Sequence, residues 1–299
     1  MKKKLILLPI TLTALTPAIG LVGCGNTDTP ELETHIVTFS AGDHGSLEGE
    51  TTVTVKGDKT TLGEITKPTV IADEAHGWFF DHWDYDDSYV INDDVTITAL
   101  YQNLSEYMID MDNIEAIIYL EGVEYAQGKF SGSQWTSEYD IEMTRDFECS
   151  TTVYHQLLEM DGYIFDEFND EYIYPDQNEG YKKQICTSKD GEWEITDADA
   201  DDFRTPGASI GAFVYGYYSR LESSGETLSF NIKKKCYEAS WVEQQGPMSL
   251  KWNIEFYFLN DKLIAFNSDT LDEEHGSGQT TEATITYDQY TPDLPISPN

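Results

Sequence analysis

The chain has 299 residues, with 55 acidic against 18 basic side chains and a formal net charge of -37. Such a charge repels the phosphates of nucleic acid and the headgroups of an anionic membrane, so a nucleic-acid partner is excluded. Aromatic residues make up 13%, including 19 Tyr, which is too rich for a disordered acidic tail and requires a packed core.

Met1-Lys2-Lys3-Lys4 opens the chain, an apolar run covers residues 5–19, and Leu21-Val22-Gly23-Cys24 follows. A basic start, a short apolar stretch and small residues before a cut site are the parts of an export signal. The stretch is interrupted by Pro17 and falls short of the roughly 20 apolar residues of a spanning helix. This order resembles a bacterial lipoprotein signal with its lipobox. The resemblance implies removal of residues 1–23, acyl chains on Cys24 and an extracytoplasmic protein held to the cell membrane. Two or more acyl chains anchor stably where one binds marginally. Residues 24–34 are polar, contain Pro30 and read as a lipidated tether.

Short β-branched and aromatic runs recur from residue 35. Residues 36–39, 51–55, 70–71, 78–83 and 95–101 are separated by Gly42, Gly45, Pro68 and acidic turns, a pattern of strands. Residues 61–65 predict a short helix. Val37-Thr38-Phe39, Gly42 with Gly45, the 62–68 segment, Phe79-Phe80 with Trp83, and Val95-Thr96-Ile97-Thr98-Ala99-Leu100-Tyr101 together resemble a listeria-type B-repeat, a bacterial surface β-grasp module. The resemblance covers residues 35–102 and implies a spacer or adhesive unit without catalysis. Its aromatics are expected to be core, since so small a unit has little else with which to fill its interior.

Between residues 103 and 128, Tyr107, Met108, Met111, Ile114, Ile117 and Ile118 recur at helical spacing, although residues 117–120 suit the start of a strand equally well. Antiparallel hairpins follow. Tyr139, Ile141 and Met143 alternate, as do Trp252, Ile254, Phe256 and Phe258. Turns are predicted at Asp161-Gly162, Asn169-Asp170, residues 189–191 and Asn260-Asp261, and a last strand at 284–287. One helix interrupts the series: Thr205 can cap it, Pro206 takes the first position, and Ile210, Phe213, Val214, Tyr217 and Leu221 form one face. The expected fold is mainly β (α+β): a small β-grasp-like domain, then a curved antiparallel half-barrel sheet with one or two helices on its concave side. This element order, with Asp161-Gly162, Trp193 and the 258–263 hairpin, loosely resembles the lipoprotein-carrier half-barrel superfamily over residues 103–299. The resemblance implies an apolar or amphipathic ligand, with Ile210, Phe213, Val214, Tyr217, Trp252 and Phe256 as its lining.

No motif reaches a reaction. His35, His44, His76, His82, His155 and His275 are scattered without metal spacing, and neither a phosphate loop nor a Gly-x-Ser-x-Gly elbow is present. Asp197, Asp199 and Asp201 imitate the start of a calcium loop, but Asp202 and Ala208 stand where Gly and Glu are needed. Asp81, Asp84, Asp86 and Asp87 form a second acidic group. Lys233-Lys234-Lys235 is expected to alternate in and out of a strand. Cys149, Cys186 and Cys236 read as buried thiols with at most one disulfide. The expectation is a non-catalytic surface lipoprotein with no cofactor or metal. Its partners are the membrane, through its lipid, and a lipid or other apolar ligand. The alternative is an adhesin or protein-interaction module that contacts a surface protein or glycan and takes no small molecule.

Overall fold

The computed structural model describes residues 33–56, 59–162, 165–176, 180–246, 248–289, 292 and 294–295; the expected signal segment and Cys24 lie outside them. The protein is mainly β. The first unit contains β1 (Thr34–Ser40), β2 (Gly45–Glu48), β3 (Thr52–Lys56), β4 (Thr69–Ala72), β5 (Trp78–Trp83) and β6 (Val95–Asn103). Its four-stranded sheet has the order β3-β1-β6-β5, while β2 and β4 pair separately. β1 runs parallel to β6 and antiparallel to β3, which is the β-grasp arrangement. The helix predicted at 61–65 is a single 3-10 turn, Leu62–Glu64. Glu64 accepts the Thr61 N–H at 2.8 Å, part of a capping box at the start of that turn. Val37, Phe39, Leu62, Ile91 and Ile97 are buried beneath it, and Trp83 meets Phe39 edge-on at 5.2 Å. Phe39 and Phe79 are buried, whereas Trp78, Phe80, Trp83, Tyr89 and Tyr101 are half-buried and Tyr85 is exposed, so the expectation of core aromatics holds in part.

The second unit has eleven strands. They are β7 (Ala126–Trp135), β8 (Asp140–Cys149), β9 (Tyr154–Gly162), β10 (Phe165–Pro175), β11 (Tyr181–Cys186), β12 (Glu194–Ala198), β13 (Ser229–Asn231), β14 (Cys236–Gln245), β15 (Met248–Leu259), β16 (Lys262–Asp272) and β17 (Ser277–Thr286). Their order is β12-β11-β10-β9-β8-β7-β17-β16-β15-β14-β13. The last strand pairs with the first, from Gly278↔Trp135 to Thr286↔Gln127, joining two meanders into one curled half-barrel sheet. The helices α1 (Ile114–Ile118) and α2 (Ala212–Ser224) share one buried cluster with this sheet.

Several local expectations are corrected. Asn169-Asp170 is no turn: β10 continues through it, and the two residues pair with Leu158 and Leu157. Asp161-Gly162 also lies within a strand, opposite Glu142 and Ile141. Ladder hydrogen bonds on both sides override the turn propensity of Asn, Asp and Gly. Residues 232–235 form the β13–β14 turn, so the lysine run is no strand. Lys235 takes a left-handed φ of 56°, Lys234 bonds Glu238 and Glu255 at 2.9 and 2.6 Å, and Lys235 lies 4.6 Å from the Tyr107 ring centre. The final strand is longer than the 284–287 run, because its polar first half pairs on both edges.

The approach to α2 depends on two glycines. Thr205 Oγ1 accepts the Ala208 N–H at 3.3 Å, capping the start as expected. Residues Gly207–Gly211 then form a π turn before α2. A Cβ on Gly207 or Gly211 would stand 2.8 or 2.4 Å from the Tyr119 carbonyl oxygen just past α1. Backbone thus meets backbone, and neither side can yield by rotating a side chain. Gly211→Ala is expected to lower stability by about 1–3 kcal/mol, the usual range for overpacking. Gly216 lies within α2 and faces open space. Gly216→Ala should therefore stabilise by about 0.5–1 kcal/mol through helix propensity. Urea midpoints of the two variants should move in opposite directions.

Candidate functional site

Alternation on the strands defines the inner face. Trp252, Ile254, Phe256 and Phe258 of β15 are buried while the residues between them are not. Phe130 on β7, Phe147 on β8 and Leu158 on β9 continue this buried face. α2 lies across its middle. All six residues expected to line a ligand meet here. Ile210 and Val214 are wholly buried, and Phe213 packs edge-on to Phe130 at 4.7 Å. Tyr217 shares a 3.0 Å hydrogen bond with Thr281 and lies 4.8 Å from the Phe266 ring. Phe256 is wholly buried, 5.1 Å from Phe266 and 6.1 Å from Tyr218. Trp252 stacks on Trp241 at 5.6 Å and lies beneath the Arg220 guanidinium at 4.9 Å. Together they form the packed seam between helix and sheet.

Open space lies beside this seam. A cleft of about 270 Å³ is lined by Gly132, Gln134, Tyr139, Ile141, Met143 and Met160, together with the β17 residues Gln279 and Thr280. A second cleft, of about 360 Å³, shares Gln134 and Gln279 with the first and reaches Thr270, Leu250, Trp252 and Arg220. Apolar walls with a few converging polar groups are the usual make-up of a small-molecule site. Methionines add walls that reshape around irregular apolar partners. The sequence signal for this cleft was the Tyr139-Ile141-Met143 alternation, which by itself reads only as a strand.

Arg145 follows Met143 on the same face of β8. Its guanidinium lies 5.8 Å from the Phe147 ring centre and 5.7 Å from that of Phe213, and its Nε is buried without a hydrogen-bond partner among the described residues. Cys149, further along β8, shares a 3.0 Å contact with the Ser209 hydroxyl. Burial pushes its thiol up to about 12, so it is protonated and inert as a nucleophile at neutral pH. Cys149, Cys186 and Cys236 are all free and buried.

The acidic groups turn to their own chain. Asp84 accepts the Thr98 N–H at 2.8 Å, Asp86 accepts from Ser88 at 2.8 Å, and Asp87 binds Lys67. Asp197 binds Lys182, and Asp202 accepts the Asp199 N–H at 3.1 Å. Among the described residues no three His, Cys, Asp or Glu side chains are grouped to hold a metal ion. On the other face of the sheet His155 is buried between Glu148 at 2.8 Å and Asp170 at 2.9 Å, with its ring stacked on Tyr172 at 4.0 Å.

No family model matches the chain, and no curated protein matches it. Among solved structures it is similar to a DUF1329 family protein from Desulfovibrio piger, 6% identical, over 63% of this chain and 96% of that chain, with a TM-score of 0.19. A likeness of that size carries no inference about fold or function.

Proposed function

We propose that the protein is a bacterial cell-surface lipoprotein, anchored by acyl chains on Cys24, whose half-barrel domain binds an apolar or amphipathic ligand and catalyses no reaction. In this reading the β-grasp unit is a spacer between the membrane and the binding domain. The observation that carries it is the cleft at the uncovered part of the inner face, where Ile141, Met143 and Met160 line open space of about 270 Å³ beside a helix-covered core. Apolar surface that a fold leaves in a concavity, with its core completed elsewhere, is suited to an apolar partner. Native mass spectrometry of the protein purified from its host tests the ligand. A released co-purifying lipid, distinct in mass from the acyl chains on Cys24, is expected; its repeated absence counts against binding. Cys24→Ala tests the address: the variant is expected to leave the membrane fraction for the soluble one, and retention in the membrane would refute the anchor.

A second reading is a surface adhesin or protein-interaction module without a small-molecule ligand. The packed seam favours it, because α2 fills the middle of the inner face with Ile210, Val214, Tyr218 and Leu221. The same mass-spectrometric experiment separates the two readings.

A further inference from the structure

We propose that Arg145 binds the anionic head of a single-tailed amphiphile of the long-chain carboxylate class, with the tail running outward along Met143, Met160 and Ile141. The proposal rests on the ligand-binding reading above and assigns the chemistry of the ligand's head.

Register places the head. Arg145 is level with Phe130 on β7 and Leu158 on β9, and Met143 is level with Gly132 and Met160. Residues two apart on a strand share one face at a spacing of roughly 7 Å. Ile141, Met143 and Arg145 thus form a row that starts in the cleft and ends against α2, where Phe213 closes it. Arg145 is half-buried and stands one step beyond the cleft's lining residues, between Met143 and Phe213.

The charge there is uncompensated. Arg145 makes no hydrogen bond or ion pair among the described residues, and its Nε is buried. Several other cations of this domain find carboxylates: Lys129 with Asp146, Lys183 with Glu171, Arg220 with Glu243, and Lys234 with Glu238 and Glu255; Lys235 and Lys262 instead lie over tyrosine rings. Arg145 lies between two phenylalanine rings, with Phe130 and Leu158 level with it on the neighbouring strands. It is half-buried, and the part withdrawn from water, Nε included, carries a cost that an anion would offset. The Phe147 and Phe213 rings hold the planar group in place and recover part of that cost. A carboxylate accepting two N–H bonds from the guanidinium supplies the rest in the geometry that arginine favours. The protein's own net charge repels anions at long range, so the attraction is local to this recess and needs an apolar tail to bring the anion in.

Isothermal titration of the full chain at pH 7 with decanoate, 1-decanol and decyltrimethylammonium tests the assignment. Decanoate is expected to bind at least about tenfold more tightly than 1-decanol, as a charge-assisted hydrogen bond allows, and decyltrimethylammonium more weakly than either. Arg145→Met should bring decanoate down to the level of 1-decanol, and Arg145→Lys should keep part of the preference. Equal binding of decanoate and 1-decanol by the wild-type protein overturns the role of Arg145 and leaves the apolar-ligand reading standing. A preference that survives Arg145→Met overturns it as well. Failure of all three probes to bind removes both. Should Arg145→Met not fold, the wild-type comparison of heads and the Arg145→Lys variant decide the question.

Discussion

Phe256→Ala is expected to lower the free energy of unfolding by about 3–5 kcal/mol, the range for deleting a fully buried aromatic ring. Phe256 has no solvent exposure and touches Tyr218 of α2, Phe258 of its own strand and Phe266 of the neighbouring one. These neighbours are large and held from both sides, so the hole left by the ring can collapse only in part. Met143→Ala is the contrasting variant. Met143 is half-buried and already borders open space, so its loss should cost stability less than about 1.5 kcal/mol, below the range for fully buried side chains. Urea denaturation of both variants measures the difference. A small loss for Phe256→Ala would mean that α2 lies loosely on the sheet and that the seam is itself a ligand chamber. A large loss for Phe256→Ala with a small one for Met143→Ala would show that the seam is tightly packed and that the cleft is not.

That contrast shows what could be read from the residues and what could not. Strict alternation over residues 251–258 identified β15 and its buried face, because a strand with one wet side writes period two into the sequence. The apolar stripe from Ile210 to Leu221 identified α2 for the corresponding reason. Their contact follows from both being apolar. The expected lining was chosen by which residues face inward, whereas open space depends on where packing stops. The start of α2 lies against the Tyr119 backbone through Gly207 and Gly211, a meeting of distant segments that no local pattern encodes. Arg145 escaped notice because one arginine in an alternating strand looks like an exposed position; its aromatic neighbours come from Phe147 and from Phe213, 68 residues further on. The missed continuity of β10 has a related cause. Asn169-Asp170 is a turn by local preference, but Asp170 is held in the strand by the buried His155 of β9.

His155 leads to an expected dependence of stability on pH. Burial alone would lower its pKa; the hydrogen bonds its ring donates to Asp170 and Glu148, and then the charges of those carboxylates, outweigh burial and raise it from 6.5 to about 9. Both ring nitrogens face a carboxylate, Nδ1 toward Glu148 at 2.8 Å and Nε2 toward Asp170 at 2.9 Å. A neutral imidazole has a proton for only one of them, so losing the proton leaves one carboxylate without a donor beside a second negative charge. The folded state therefore binds the proton more tightly than the unfolded chain. Its contribution is complete below about pH 6.5 and is lost as pH rises through about 9. At roughly 1.4 kcal/mol per unit, and with His155 only 8% exposed, about 3 kcal/mol is at stake. The buried thiols Cys149 and Cys236, pushed up to about 12 and about 11, also cost the fold stability as pH rises past the ordinary cysteine range, but wild type and a His155 variant share them, so they cancel in the comparison. Urea unfolding at pH 6 and pH 9.5, on the wild-type protein and on His155→Gln, measures the effect. The variant should be less stable than wild type at pH 6, and the gap should narrow by about 3 kcal/mol at pH 9.5. Parallel stability curves for the two proteins would show that the proton on His155 contributes nothing to the fold. A gap that closes as predicted would make His155 a charged cross-strand clamp holding β8, β9 and β10 together on the face opposite the cleft.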